Sequence, residues 1–342
     1  MTSASDKPTL SGNQSFATAA AAKALLPTRD FGAHKWGVGG LIVIAGSPAY
    51  PGAAILTTRA AGRAGAGIVL LASGRGVIGA TASAVPEVAH IPLPETDAPG
   101  VARRAMESIE KHLEKAKAVL IGPGLGRDDA AGELLGALFA LGSKREAERR
   151  NIGFGFATRA ATATEETEAE ASTSALFQRD DLTVVVDADA LNWLAGQGEW
   201  WNSLPEGRLV LTPHVGEFAK LTGKTTEEIV ADPLGELEAA AKTWKQTVVL
   251  KYGYTAASDG TITVVAEDAP LSLATAASGD VLAGTIAGLV AQGLSGRDAA
   301  AIALHVGPAA ARAVEARFGT LGLIATDLPD AIAEQMASLA MS

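Results

Sequence analysis

Apolar positions gather in short runs at residues 41–45, 68–72, 118–121, 183–186, 209–211 and 247–250. Each run is rich in Val, Ile and Leu and has no polar alternation, the pattern of strands covered on both faces of a parallel sheet. Between them lie longer Ala/Leu-rich stretches at 52–66, 128–141 and 233–244, which have helical length and composition. A further helix is expected over 16–26, ending before Pro27. Strand–helix alternation predicts an α/β fold, three-layer α/β/α with a mostly parallel central sheet.

Beyond residue 250 the pattern changes. Residues 254–258 and 261–266 flank Asp259-Gly260, a strong hairpin signal, and helices are expected over 279–292, 297–317 and 327–340. Residues 142–181 stand apart: a dense charge run at 144–150 precedes an Ala/Thr/Glu-rich stretch at 157–174. Such a segment buries little apolar surface, so a mobile surface insertion is expected there, and residues 1–14 are expected to form a flexible N-terminal tail. The whole chain, residues 1–342, reads as one domain that includes this tail and insertion.

Composition narrows the function. The chain has 342 residues, 48% of them hydrophobic, which excludes global disorder. It has no cysteine, which excludes disulfides, thiolate metal sites and a Cys nucleophile. A net charge of −10 argues against nucleic acid as the main partner. No apolar run is long enough to span a bilayer, and no basic segment leads into an apolar one at the start. A soluble cytoplasmic protein is expected.

The polar, glycine-rich segments sit where the predicted strands end, the edge at which open α/β sheets bind ligands. They are Gly122-Pro123-Gly124-Leu125-Gly126, Asp187-Ala188-Asp189, Thr212-Pro213-His214-Val215-Gly216-Glu217-Phe218 and Lys251-Tyr252-Gly253-Tyr254-Thr255. The sharpest is Ala274-Thr275-Ala276-Ala277-Ser278-Gly279-Asp280, a small-residue loop opening a helix whose free N–H groups suit an anion. A lone Ser-Gly-Asp is ordinarily just a helix cap. Here the run of small residues and the close packing implied by Gly284 and Gly288 ask for more. His214 follows a strand and precedes a helix, so a structural and a ligand-contacting role weigh about equally. His34-Lys35 suits either a solvated pair or a phosphate contact. No Walker ending, dinucleotide fingerprint, zincin motif or nucleophile elbow is present.

Taken in order, these segments, with Gly46-Ser47, Gly52-Ala53 and Arg63-Ala64-Gly65-Ala66-Gly67, resemble the ADP-dependent NAD(P)H-hydrate dehydratase family of the ribokinase-like superfamily. The Thr-Pro-His-x-Gly-Glu-Phe and Ser-Gly-Asp-Val-Leu-Ala-Gly blocks carry most of the likeness. The resemblance implies removal of water from the S epimer of NADH or NADPH hydrate, with ADP as co-substrate and AMP and phosphate as products. It implies Asp280 as the base and Ala53, Gly126, His214 and Asp280 as contacts to the hydrate. It places Lys251, Tyr252, Gly253, Tyr254, Thr255 and Gly279 at the nucleotide. It implies Mg²⁺ on the phosphates, with Asp187 or Glu217 reaching it through water and no direct protein ligand assigned. A homo-oligomer, by resemblance a tetramer, and a separate epimerase are implied, the chain reading as the stand-alone form.

Two departures stand out. Ala277 replaces the glycine usual in the anion loop, where a methyl crowds the site or opposes a positive φ. Tyr252 replaces the glycine usual after the lysine. An unperturbed Asp is ionised at pH 7, so Asp280 needs placement and no large pKa shift to act. A locally positive cleft is expected from His34, Lys35, Lys251 and helix N-termini on an acidic surface. Two alternatives remain at this stage: an ATP-dependent vitamin-type kinase of the same superfamily, and a silenced nucleotide-binding relative.

Overall fold

The computed structural model describes residues 7–94, 101–141 and 174–342. Among them, ten strands form one sheet in the order β1-β10-β9-β8-β7-β6-β5-β2-β3-β4. In chain order these are β1 Gln14–Phe16, β2 Gly40–Ile44, β3 Ile68–Ser73, β4 Ala89–Pro92, β5 Ala116–Ile121, β6 Thr183–Val186, β7 Leu209–Leu211, β8 Thr247–Leu250, β9 Ala256–Ser258 and β10 Thr263–Val265. From β8 across to β4 every pairing is parallel. β9 is antiparallel to both its neighbours, as the Asp259-Gly260 signal predicts, and β1 joins the far edge parallel to β10. All six apolar runs become strands of the parallel part.

The unbroken apolar runs have a simple cause: successive side chains of one strand enter opposite cores. Leu41 and Val43 of β2 pack on one side with Leu71, Leu120, Val185, Val210 and Val249. Ile42 and Ile44 pack on the other with Leu70, Ile121, Val186, Leu211 and Leu250. The first face is covered by the helices Pro51–Arg63, Ser278–Val290 and Gly296–Phe318. The second is covered by Asp129–Phe139, Ala188–Ala195, Val215–Thr222 and Pro233–Trp244, with the rings of Trp200 and Phe218 both against Trp244.

The helix Ser278–Val290 lies hard against Pro51–Arg63. A Cβ added at Gly284 would stand 2.4 Å from the Thr57 carbonyl oxygen, and one at Gly288 2.5 Å from that of Ala61. The two glycines let the backbones touch along the helix that carries Asp280 in its first turn.

The start of the chain differs from expectation. Phe16 pairs in β1 and not in a helix; the helix runs Ala19–Leu25, its N-terminus capped by the Thr18 hydroxyl. Residues 1–6 of the expected tail lie outside the described residues. Asn13 donates to the Thr261 carbonyl at 2.7 Å, and the Lys7 ammonium stands 4.1 Å over the Phe16 ring. Of the expected insertion, residues 142–173 also lie outside the described residues. Its end is packed: Leu176 is buried, and Arg179 donates to the carbonyls of Leu113, Glu114 and Ala116. No helix among the described residues is long and apolar enough to cross a membrane.

Candidate active site

The site forms at the carboxyl ends of β2, β5, β6, β7 and β8. There the ladder continues one residue past each strand. Gly122 N donates to Ile44 O at 3.0 Å, Asp187 N to Ile121 O at 3.0 Å, Thr212 N to Val186 O at 3.1 Å and Lys251 N to Pro213 O at 2.9 Å. The first residue of each loop is therefore as fixed as the sheet. Gly122 is required where it stands, at φ 122°, because a Cβ would fall 1.9 Å from the Asp187 carbonyl oxygen.

Asp187 is the buried centre. Its Oδ1 accepts from the Thr212 hydroxyl at 2.7 Å and from Lys251 Nζ at 2.9 Å. Burial opposes the charge on Lys251, yet Asp187 and Glu217 outweigh it and hold the ammonium above the ordinary lysine range. Asp189 clamps the next loop: its carboxylate accepts from Gly126 N at 3.0 Å and from Arg127 Nε at 2.7 Å.

His214 caps the helix Val215–Thr222. Its Nδ1 accepts from Gly216 N at 3.0 Å and Glu217 N at 3.3 Å, while Glu217 accepts from His214 N at 2.9 Å. This is a capping box with histidine in the place usual for serine or threonine. Burial, then Lys251, lower the His214 pKa, which favours the neutral ring that its two accepted hydrogen bonds require. Glu217 is buried, which pushes its carboxyl up to about 6.

Asp280 lies in the first turn of Ser278–Val290, a helix with no side-chain cap. Ser278 N turns back to Thr275 O at 3.4 Å and Val281 N bonds Ala277 O at 3.3 Å, which leaves the amides of Gly279 and Asp280 as the uncapped donors of the first turn. Burial, then the nearby Asp187, push the Asp280 carboxyl up to about 7, against the expectation that no large shift was needed. Gly279 lies beside Lys251, with a Cβ there only 3.2 Å from Nζ. Ala277 takes φ 66°, the left-handed conformation its methyl opposes, and that methyl packs toward the core.

The remaining expected residues fall around this centre. Ala53 sits in the first turn of Pro51–Arg63, where a Cβ on Gly124 would approach it to 2.7 Å. Gly126 has φ 95° with open space above it. Lys251, Tyr252, Gly253, Tyr254 and Thr255 make the turn from β8 to β9; Tyr252 and Tyr254 pack against the second core.

The positive cleft does not form as expected. His34 and Lys35 lie beside the starts of β2 and β3, at the other end of the sheet, where Lys35 O would meet a Cβ on Gly67 at 2.0 Å. A cavity of about 490 Å³ there is lined by Arg29, His34, Lys35 and Gly67 among others. At the site itself Lys251 is neutralised by Asp187 and Arg127 by Asp189. Asp189 had no assigned role in the sequence reading. Its signal was the Asp-x-Asp spacing after a strand, which puts one carboxylate into the sheet and the other over the neighbouring loop.

A model of the family described as NAD(P)H-hydrate dehydratase matches residues 41–145 and 152–334. A bifunctional NAD(P)H-hydrate repair enzyme of Salinibacter ruber is 35% identical over 318 residues, covering 92% of this chain and 51% of that protein. An ADP-dependent (S)-NAD(P)H-hydrate dehydratase of Xanthomonas campestris is 30% identical over 315 residues, covering 91% of this chain and 92% of that one. The chain spans about half the length of the bifunctional relatives it matches. Among solved structures, a ribokinase-like superfamily protein of Enterococcus faecalis aligns with a TM-score of 0.76 at 18% identity, over 98% of this chain and 100% of that one. The fold is therefore ribokinase-like, and on the family match and the Xanthomonas relative the chain belongs to the NAD(P)H-hydrate dehydratase family.

Proposed function

We propose that the protein removes water from the S epimer of NADH or NADPH hydrate, using ADP and releasing AMP and phosphate. The observation that carries this reading is Asp280, held in the first turn of an uncapped helix beside the Asp187–Lys251 pair. Hydroxide is a poor leaving group, and a phosphate ester leaves readily. Asp280 accepts the proton of the substrate hydroxyl as its oxygen attacks the β-phosphorus, and AMP leaves. The ring nitrogen lone pair then expels phosphate, and the neighbouring ring carbon gives up a proton to the departing phosphate to form the double bond. A base near pH 7 is well matched to this first transfer at neutral pH.

The early amides of the Ser278–Val290 helix and Lys251 suit the transferring phosphoryl group. Lys251, Tyr252, Gly253, Tyr254, Thr255 and Gly279 would line the AMP portion, and Ala53, Gly126 and His214 the hydrate. Among the described residues no group of three or more His, Asp or Glu side chains makes a metal cage. A Mg²⁺ would keep its waters on the phosphates, with Asp187 or Glu217 as the carboxylates that would reach them. Mg²⁺ would supply charge neutralisation on the phosphates.

The resemblance further supports a homotetramer, a cytoplasmic setting and a separate epimerase supplying the S epimer; light scattering checks the first. The deciding assay mixes protein, fresh NADH hydrate and Mg²⁺ with ADP or ATP. Return of the near-ultraviolet absorbance with ADP, abolished in Asp280→Asn, supports the dehydratase. No return with either nucleotide, in a protein that still binds ADP, points to a vitamin-type kinase or a silenced relative.

A further inference from the structure

We propose that His214 meets the substrate as a hydrogen-bond donor only, through Nε2–H, and that Glu217 is the positioning residue whose carboxylate stands beside that N–H. The substrate part of this inference rests on the dehydratase reading.

An imidazole nitrogen that accepts a hydrogen bond carries no proton. His214 Nδ1 accepts from two backbone amides, Gly216 N and Glu217 N. The single proton of the neutral ring is therefore on Nε2, which stands 3.4 Å from Glu217 Oε1. Glu217 Oε2 meanwhile accepts from His214 N at 2.9 Å. One carboxylate thus caps the backbone of the histidine and stands beside its ring without a hydrogen bond to Nε2, whose N–H stays available. His34 uses its Nδ1 in the same way, accepting from Gly37 N at 3.1 Å, but no carboxylate faces its ring in the capping contacts of that helix.

The consequence is chemical. With Nδ1 spent on the helix and Nε2 protonated, His214 has no lone pair for a hydroxyl proton. Asp280 is left as the proton acceptor. The His214 ring, more than half exposed at 59%, presents its Nε2–H to an acceptor oxygen of the hydrate. The site then selects a substrate that offers an oxygen at that point.

Long-range ¹⁵N–¹H NMR on histidine-labelled protein reads the tautomer directly, with His214→Asn assigning the signal. The expected wild-type spectrum shows His214 as Nε2–H. A wild-type ring protonated on Nδ1 overturns the proposal. Glu217→Gln can still cap His214 N through its amide oxygen, but its NH₂ then faces Nε2. The two amides still hold Nδ1 as an acceptor, so the ring keeps its proton on Nε2, but the Nε2–H signal should shift as the carboxylate beside it is lost; an unchanged signal would remove Glu217 from the role. His214→Asn keeps a side-chain cap and loses the reaching donor. Its KM for the hydrate should rise about tenfold, or 1.4 kcal/mol, with the KM for ADP and the melting temperature unchanged. An unchanged hydrate KM means His214 merely caps the helix and refutes its contact with substrate. Because the tautomer is read on the protein alone, wild-type protein inert toward the hydrate refutes the dehydratase reading while the spectrum still decides this one.

Discussion

Lys251 Nζ stands 2.9 Å from Asp187 Oδ1, across 64 positions of sequence, and joins the end of β8 to the end of β6 past β7. The carboxylate side chain is 1% exposed and the lysine 18%. Thr212 at the end of β7, between them, supplies a second donor to the same oxygen. The centre of the site is thus a buried ion pair that also ties three strand ends together.

Breaking such a pair from one side leaves a buried charge without a partner. Lys251→Met should destabilise the protein by about 3 kcal/mol. Adding Asp187→Asn should restore much of that loss, read by urea unfolding at pH 7. A double variant as unstable as the single one contradicts the pairing argument.

Asp280 makes stability depend on pH in the direction opposite to a salt-bridged aspartate. Its folded pKa is raised from 3.8 to about 7, so the folded state binds the extra proton between those values. Stability therefore falls as pH rises through that window, and the penalty is complete above it. Asp280→Asn should remove the penalty, raising stability at pH 8 by on the order of 1–2 kcal/mol, after allowing for solvent reaching the cleft. Near pH 4 the two proteins should melt alike. Equal melting temperatures at pH 8 would show that the Asp280 carboxyl is not raised.

Ala277 holds a left-handed conformation that costs an L-residue about 1–2 kcal/mol. Glycine removes that cost but enlarges the unfolded ensemble, so Ala277→Gly should stabilise by about 0.5 kcal/mol net. Turnover should stay within a few-fold of wild type, since the methyl packs toward the core. A large gain in turnover would instead mean that the native loop is impaired.

Two glycines on facing helices should respond with opposite sign. Gly284→Ala drives a methyl to 2.4 Å from the Thr57 carbonyl oxygen and should cost about 1–3 kcal/mol. Gly62 of Pro51–Arg63 is exposed with nothing near its Cβ position, so Gly62→Ala should gain up to about 1 kcal/mol from helix propensity. Thermal melts of the pair check both signs.

The parallel strands were legible because each had to bury both faces, and that demand writes an unbroken apolar run into the chain. The hairpin at Asp259-Gly260 was legible from its turn chemistry. β1 and β4 were not: both are short edge strands, with one neighbour to satisfy and no run long enough to mark them. Phe16 looked helical because the Ala-rich stretch after it is helical, and only its pairing with Val265 places it in the sheet.

Within the site, local sequence determined what each loop is able to do. Glycines free the backbone at 122 and 126, a short strand end carries Asp187, and the spacing of His214 to Glu217 is that of a capping box. Tertiary structure alone decided which charges meet. Asp187 finds Lys251 rather than solvent, and His34 and Lys35 finish at the opposite end of the sheet. Asp280 rises to about 7 because of its burial and its nearness to Asp187, a residue far from it in the chain. Propensity and turn chemistry act over a few residues and can be read along the chain. Desolvation and charge coupling depend on distances that exist only once the strand ends lie side by side.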